Sequence, residues 1–71
     1  MKRKKNKHGK FRVFSDYYLV YETNSIAQAR RKAKSLNRGE IWVYIAKIKA
    51  YVLFERYIHK HLIYKNPMFS A

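Results

Sequence analysis

A long stretch of the chain, residues 40–64, contains no glycine, proline, asparagine or aspartate. These residues mark most turns, so their absence favours extended structure or helix over loop. The first part, residues 41–45, is a continuous apolar run rich in β-branched and aromatic side chains, which predicts a strand buried on both faces. Beyond it, Ala46, Ile48 and Ala50 alternate with lysines, which predicts burial on one face only.

Residues 50–64 fit two interpretations. Their apolar residues recur at three- and four-residue steps, as on a helix, but many of them are β-branched or aromatic and favour a strand. We predict a strand that continues from the preceding one or bends near Ala50, with a helix as the alternative.

Upstream, residues 11–23 are also aromatic and β-branched, which predicts strands. Ser15 and Asp16 are the only turn formers inside this segment. We therefore predict a hairpin that turns near residues 15–17, with one bent strand as the alternative.

The helix signal is the clearest in the chain. Ser25 and Gln28 have the spacing of a capping box, and Gly39 is suited to end a helix in the left-handed conformation. Apolar residues share one helical face, and we expect Leu36 from the helix and Ile45 from the next strand to be buried together.

These elements predict an α+β domain over residues 11–66, with a small antiparallel sheet (ββαβ or ββαββ) and one helix packed on one face. Residues 1–10 carry dense positive charge and are predicted to form a disordered basic arm. Residues 67–71 form a C-terminal tail, in which Phe69 either docks onto the body or frays.

The segment NSIAQARRKAKSL, a short helix with alanines between charged residues, follows the hairpin, and the long strand GEIWVYIAKIKAYV follows the helix. This order resembles many small bacteriophage-encoded ββαβ proteins, and the resemblance covers residues 11–54. Most such proteins have no assigned activity. The resemblance therefore implies an origin in a mobile element, but no mechanism and no functional residues.

Charge is the strongest indication of function. Seventeen Lys and Arg residues face four Asp and Glu, which gives a formal net charge of +13. A small domain usually has a net charge of about 2–8. An excess of this size favours association with a polyanion, and we expect the partner to be nucleic acid, either DNA or RNA.

The helix adds a more specific indication, because it carries several positive charges and no acid. A helix that is only solvated usually mixes signs to gain favourable pairs at four-residue spacing. Arg30, Lys34 and Arg38 follow one another at four-residue steps, with Arg31 beside them, and we predict that this basic row and the N-terminal arm contact phosphates. The predicted nucleic-acid-binding residues are Lys2, Arg3, Lys4, Lys5, Lys7, Lys10, Arg30, Arg31, Lys34, Arg38, Lys47 and Lys49.

Aromatic residues near these lysines permit a second kind of contact. Trp42, Tyr44, Tyr51 and Tyr57 are able to form a platform on which bases stack, although a small core also needs large side chains. Any such platform is expected on the sheet face opposite the helix. Without a ligand, either a second subunit or solvent-tolerant Tyr and Lys side chains occupy that face, so a homodimer through this face or a sheet edge is an alternative.

No enzymatic pattern accompanies these features. The acids stand apart from one another in sequence, and no phosphate loop or catalytic motif is present, so we expect neither an enzyme nor a cofactor. His59 and His61 would share one face of a strand, but a zinc site needs further ligands, and we predict no metal site.

The most apolar segment is short and contains lysines, and no signal peptide is recognisable, so we expect a cytoplasmic protein that does not enter membranes. In a phage-encoded protein this would be the cytoplasm of the host.

A different class of function fits the same charge. This is a phage-type inhibitor of a host protein that handles nucleic acid or serves in defence, such as an anti-CRISPR, anti-restriction or polymerase inhibitor.

Overall fold

The computed structural model describes residues 10–69. Five strands form one antiparallel sheet in the order β2-β1-β3-β4-β5, and helix α1 packs on one face. The elements are β1 (Phe11–Ser15), β2 (Tyr18–Thr23), α1 (Ile26–Lys34), β3 (Arg38–Ile45), β4 (Ala50–Ile58), β5 (His61–Lys65) and a short 3₁₀ helix (Pro67–Phe69). The α+β class and the antiparallel sheet are confirmed, but the order is ββαβββ, with more strands than predicted. The predicted disordered arm lies outside the described residues except for Lys10.

Two of the hairpins turn on pairs of residues with positive φ. Asp16 and Tyr17 (φ 50° and 74°) connect β1 to β2, which confirms the predicted first hairpin. His59 and Lys60 (φ 49° and 72°) connect β4 to β5. Positive φ at both central residues suits the right-handed twist of the strands, and such turns usually contain Asn or Gly. Since His59 and Lys60 are neither, the sequence pattern did not indicate the second hairpin.

The turn between β3 and β4 contradicts one prediction, and β4 itself confirms another. The chain neither continues nor simply bends here, because residues 46–49 form a turn in which Lys49 has φ 55°. Ala46, Ile48 and Ala50 are all exposed, so their alternation with lysines does not reflect a strand with one buried face. The strand prediction for the following segment, over the helical alternative, is confirmed by β4.

The predicted cap starts α1, with one change. The Ser25 hydroxyl accepts a hydrogen bond from the Gln28 amide at 3.2 Å, as expected. The Gln28 side chain does not return directly to Ser25. Instead the Ser25 amide donates to Thr23 Oγ1 (3.1 Å), and this hydroxyl donates to Gln28 Oε1 (2.7 Å). A side chain from β2 therefore joins the cap and fixes the start of the helix against the sheet.

The core lies between α1 and the central strands. Val13 of β1 and Ile41 of β3 are fully buried against Ala29 and Ala33, whose small side chains let the helix approach closely. Leu36 packs at the margin of this cluster. The expectation that Leu36 and Ile45 are both buried is wrong, since both are only half-buried and Ile41 is the central strand residue.

Gly39 has a different role from the predicted helix cap. The helix ends earlier, at Lys34, and Gly39 is a buried residue of β3 without positive φ. A Cβ at this position would lie 2.6 Å from the Ala33 carbonyl oxygen and 2.8 Å from Ala33 Cα. Glycine is thus required because the end of the helix passes directly over the strand.

We expect Gly39→Ala to lower the free energy of unfolding by about 1–3 kcal/mol, because the added methyl group meets backbone atoms that have to shift. Urea denaturation measures the loss. Adding Ala33→Gly should not restore stability, since the contacts involve the backbone of residue 33 rather than its side chain. Unchanged stability of Gly39→Ala would show that the helix end is not held against β3.

Candidate nucleic-acid interface

The predicted phosphate-binding residues lie in separate places. Arg30, Arg31 and Lys34 are on α1, which covers one side of the sheet. Arg38 is the first residue of β3 and does not continue the helical row. It precedes Gly39, which faces the helix, so Arg38 faces the opposite side, where it lines a shallow depression with Glu40 and Arg56 among others. The continuous basic row predicted from four-residue spacing is therefore absent. Lys2, Arg3, Lys4, Lys5 and Lys7 lie outside the described residues.

Arg30 is engaged inside the fold. Its Nε and a terminal nitrogen donate to the two carboxylate oxygens of Glu55, each at 3.0 Å. Glu55 is only 2% exposed, and it also accepts from the Tyr57 hydroxyl at 2.9 Å. The hydrogen bond to Glu55 raises the pKa of Arg30 above its usual value. This pair fastens α1 to β4, which argues against the predicted phosphate contact by Arg30.

The same network affects Tyr57, and it predicts an alkaline response. Burial, followed by the hydrogen bond to Glu55, raises the pKa of Tyr57 from 10.0 to about 12. The folded state therefore holds this proton more tightly than the unfolded chain. The resulting stabilisation is complete below about pH 10 and is lost as the pH rises to about 12.

We expect Tyr57→Phe to show a shallower fall in stability between about pH 10 and pH 12 than the unchanged protein. Denaturant midpoints across this range measure the difference. The comparison of the two proteins isolates the contribution of this one hydroxyl to the pH dependence. Identical slopes for the two proteins would contradict the raised pKa.

Arginines also neutralise two acids on the sheet face away from α1. Arg12 Nε lies 2.7 Å from Glu22, and Arg56 Nε lies 2.8 Å from Glu40. Across the described part of the chain, the cations that form no ion pair are mostly lysines. They are Lys10, Arg31, Lys32, Lys34, Arg38, Lys47, Lys49, Lys60 and Lys65. Most of the positive charge on the described residues is therefore not neutralised by acids within the fold.

We call the sheet side opposite α1 the open face. Within residues 10–69, no helix packs across it. The partly exposed side chains at its centre and at one end are Arg12, Phe14, Trp42, Tyr44, Tyr51 and Leu53.

Two aromatic pairs order this face. Phe14 and Trp42 meet edge to face at 6.1 Å between ring centroids, and Tyr44 and Tyr51 do so at 5.2 Å. The Arg12 guanidinium lies 4.2 Å from the centre of the Tyr51 ring. Tyr44, which is 37% exposed, therefore lies against the Tyr51 ring, over which the Arg12 guanidinium is placed.

Tyr57, the fourth aromatic residue proposed for the platform, does not belong to it. It is 4% exposed and packs in the core on the helix side. The sequence pattern did not separate it from the others because the face of each β4 residue depends on a bulge that shifts the register between β3 and β4.

Three exposed lysines lie at the end of the sheet where the tyrosine pair lies. We call them the basic rim: Lys10, Lys47 and Lys49. The Lys10 carbonyl accepts from the Tyr44 amide at 2.8 Å, and the Lys10 amide donates to Asn24 Oδ1 at 2.9 Å. Lys47 and Lys49 are in the turn that follows β3.

His59 and His61 do not share one strand face, since His59 is in a turn and His61 begins β5. Within residues 10–69, no group of three or more His, Cys, Asp or Glu residues is placed to hold a metal ion. In the same range, no helix is both long enough and apolar enough to cross a membrane.

Comparisons with known proteins give no relative. No family model matches the chain, and no curated protein or solved structure matches it either.

Proposed function

We infer that this protein binds nucleic acid through the basic rim and the adjoining part of the open face. The observation that carries the inference is which cations of the fold are paired with acids and which are not. Arginines neutralise three of the four acids, Glu22, Glu40 and Glu55, whereas exposed lysines at one end of the sheet have no acidic partner among the described residues. A polyanion that approaches this end meets positive charge with no uncompensated carboxylate beside it.

The chemistry of the rim favours phosphate contact without sequence recognition. Lysine acts as a compact point charge and attracts phosphates without the two-pronged geometry by which arginine reads guanine. Phosphate contacts supply affinity and position but no sequence information. The remaining acid, Asp16, lies in the β1–β2 turn at the opposite end of the sheet. The charge distribution therefore favours the approach of a nucleic acid at the basic rim.

Charge reversal at two surfaces tests the assignment. Lys47→Glu with Lys49→Glu alters the rim, and Arg31→Glu with Lys34→Glu alters the exposed helix face by the same change in net charge. We expect the rim pair to weaken binding of a labelled single-stranded oligonucleotide at least about tenfold at physiological salt, because two phosphate contacts are lost. We expect less than about a threefold loss for the helix pair, from weaker long-range attraction alone.

Fluorescence anisotropy gives the affinities, and circular dichroism shows whether each variant is folded. Acidic residues near the end of α1 oppose the helix dipole, so this check matters most for the helix pair. A larger loss for a folded helix pair would place the contact on the helix, as the sequence pattern predicted. If the unchanged protein fails to bind any nucleic acid, binding to an acidic host protein becomes the better explanation of the charge.

A further inference from the structure

We propose that the open face binds single-stranded nucleic acid, with bases stacked against Tyr44 and the Arg12–Tyr51 pair while the basic rim holds the phosphates. This rests on the proposed function and adds to it the strand state and the surface that the bases contact. A double helix presents its phosphates but keeps its bases stacked on one another, so it cannot use an aromatic surface in this way.

The aromatic residues are placed as such a contact requires. Tyr44 is 37% exposed although its strand, β3, lies inside the sheet between β1 and β4. Its position is fixed by the edge-to-face contact with Tyr51 and by the backbone hydrogen bond to Lys10. A ring that is already ordered loses little further freedom when a base stacks on it.

Arg12 extends the same surface. Its guanidinium lies over the Tyr51 ring and is oriented by the 2.7 Å bond to Glu22. Planar guanidinium groups stack on bases much as aromatic rings do. The carboxylate of Glu22 is paired with Arg12, so it does not repel an incoming strand as an uncompensated charge would.

The charge near this face favours a nucleic acid over an apolar protein as its occupant. An apolar protein partner would have no need for the cations that border it, whereas a single strand presents bases and phosphates together. Lys47 and Lys49 lie in the β3–β4 turn between Tyr44 and Tyr51, and the Tyr44 amide donates a backbone hydrogen bond to the Lys10 carbonyl. One single strand is therefore able to place its bases on the open face and its phosphates at the basic rim.

Trp42 provides a natural reporter for the experiment, because it is the only tryptophan in the chain and lies on the open face. The probes are an oligo-dT of about 15 nucleotides, within the usual site size of sheet-based binders, an abasic strand with the same number of phosphates, and a hairpin duplex. An oligo-rU of equal length separates RNA from DNA as the source of the strand.

We expect the oligo-dT or the oligo-rU to bind about tenfold more tightly than the abasic strand and to quench Trp42, since stacking of one base is worth about that factor. Tyr44→Ala should reduce this preference, and Tyr44→Phe, which keeps the ring, should retain it. Tyr18→Ala is the matched control, because Tyr18 is 75% exposed at the other end of the sheet.

Equal affinity for the abasic and base-carrying strands, without quenching, would overturn the stacking proposal and leave the proposed function intact. Tighter binding of the duplex would also overturn it. Failure of all four probes to bind would instead contradict the proposed function itself. A change in Trp42 emission with protein concentration alone would assign the open face to a second copy of the chain.

Discussion

Replacing Arg30 with alanine should lower the free energy of unfolding by about 3 kcal/mol, although Arg30 looks like a surface cation in the sequence. The substitution leaves Glu55, which is 2% exposed, with only the Tyr57 hydroxyl donating to its side chain among the described residues. Because the Arg30 side chain is itself 41% exposed, we take the lower end of the range for broken buried pairs. A chain of this size has a total stability of about 4–10 kcal/mol, so the loss is large.

Lys34→Ala is the matched control for this prediction. Lys34 lies one turn further along α1, with its ammonium 5.8 Å from the centre of the Tyr57 ring and no acidic partner in the described structure. We expect it to cost less than about 1 kcal/mol. Chemical denaturation measures both variants. Similar losses for the two would show that the buried pair does not fasten the helix to the sheet.

The role of Arg30 also changes how the helix is to be tested as a binding surface. Reversing Arg30, Lys34 and Arg38 together would place a new carboxylate beside Glu55 and unfold the domain. A loss of binding in such a variant would then report the loss of the fold. The helix pair Arg31 and Lys34 avoids this difficulty, because neither residue takes part in an ion pair in the described structure.

Local signals of the sequence predicted the elements that depend on local physics. The cap at Ser25, the first hairpin and the strand character of β4 are all confirmed, since side-chain spacing and β propensity act within a few residues. The second hairpin was not predicted because its turn has no glycine or asparagine. The role of Gly39 was misread, because it depends on contact with a helix residue that only the tertiary structure brings near.

The candidate site was predictable in composition but not in arrangement. Lysines and tyrosines indicate an affinity for nucleic acid, but the pairing of Arg12 with Glu22 and of Arg56 with Glu40 depends on strand register. Sequence reasoning missed these arginines as organisers of the open face. The opposite positions of Arg12 and Glu22 on the predicted first hairpin were the one signal able to reveal part of this arrangement.

The dependence of affinity on salt tests the central claim, nucleic-acid binding through phosphates, most directly. The rim lysines and part of the basic arm predicted from the sequence should make roughly four to seven phosphate contacts. Each contributes about 0.7 to the slope of log affinity against log salt for a single strand. We therefore predict a slope of about −3 to −5, which means a loss of affinity of roughly 60- to 1,000-fold between about 50 and 200 mM salt. The rim variant, Lys47→Glu with Lys49→Glu, should make the slope less steep by about 1.4. The helix variant, Arg31→Glu with Lys34→Glu, should leave the slope nearly unchanged. An affinity that hardly changes over this range would contradict binding through phosphates.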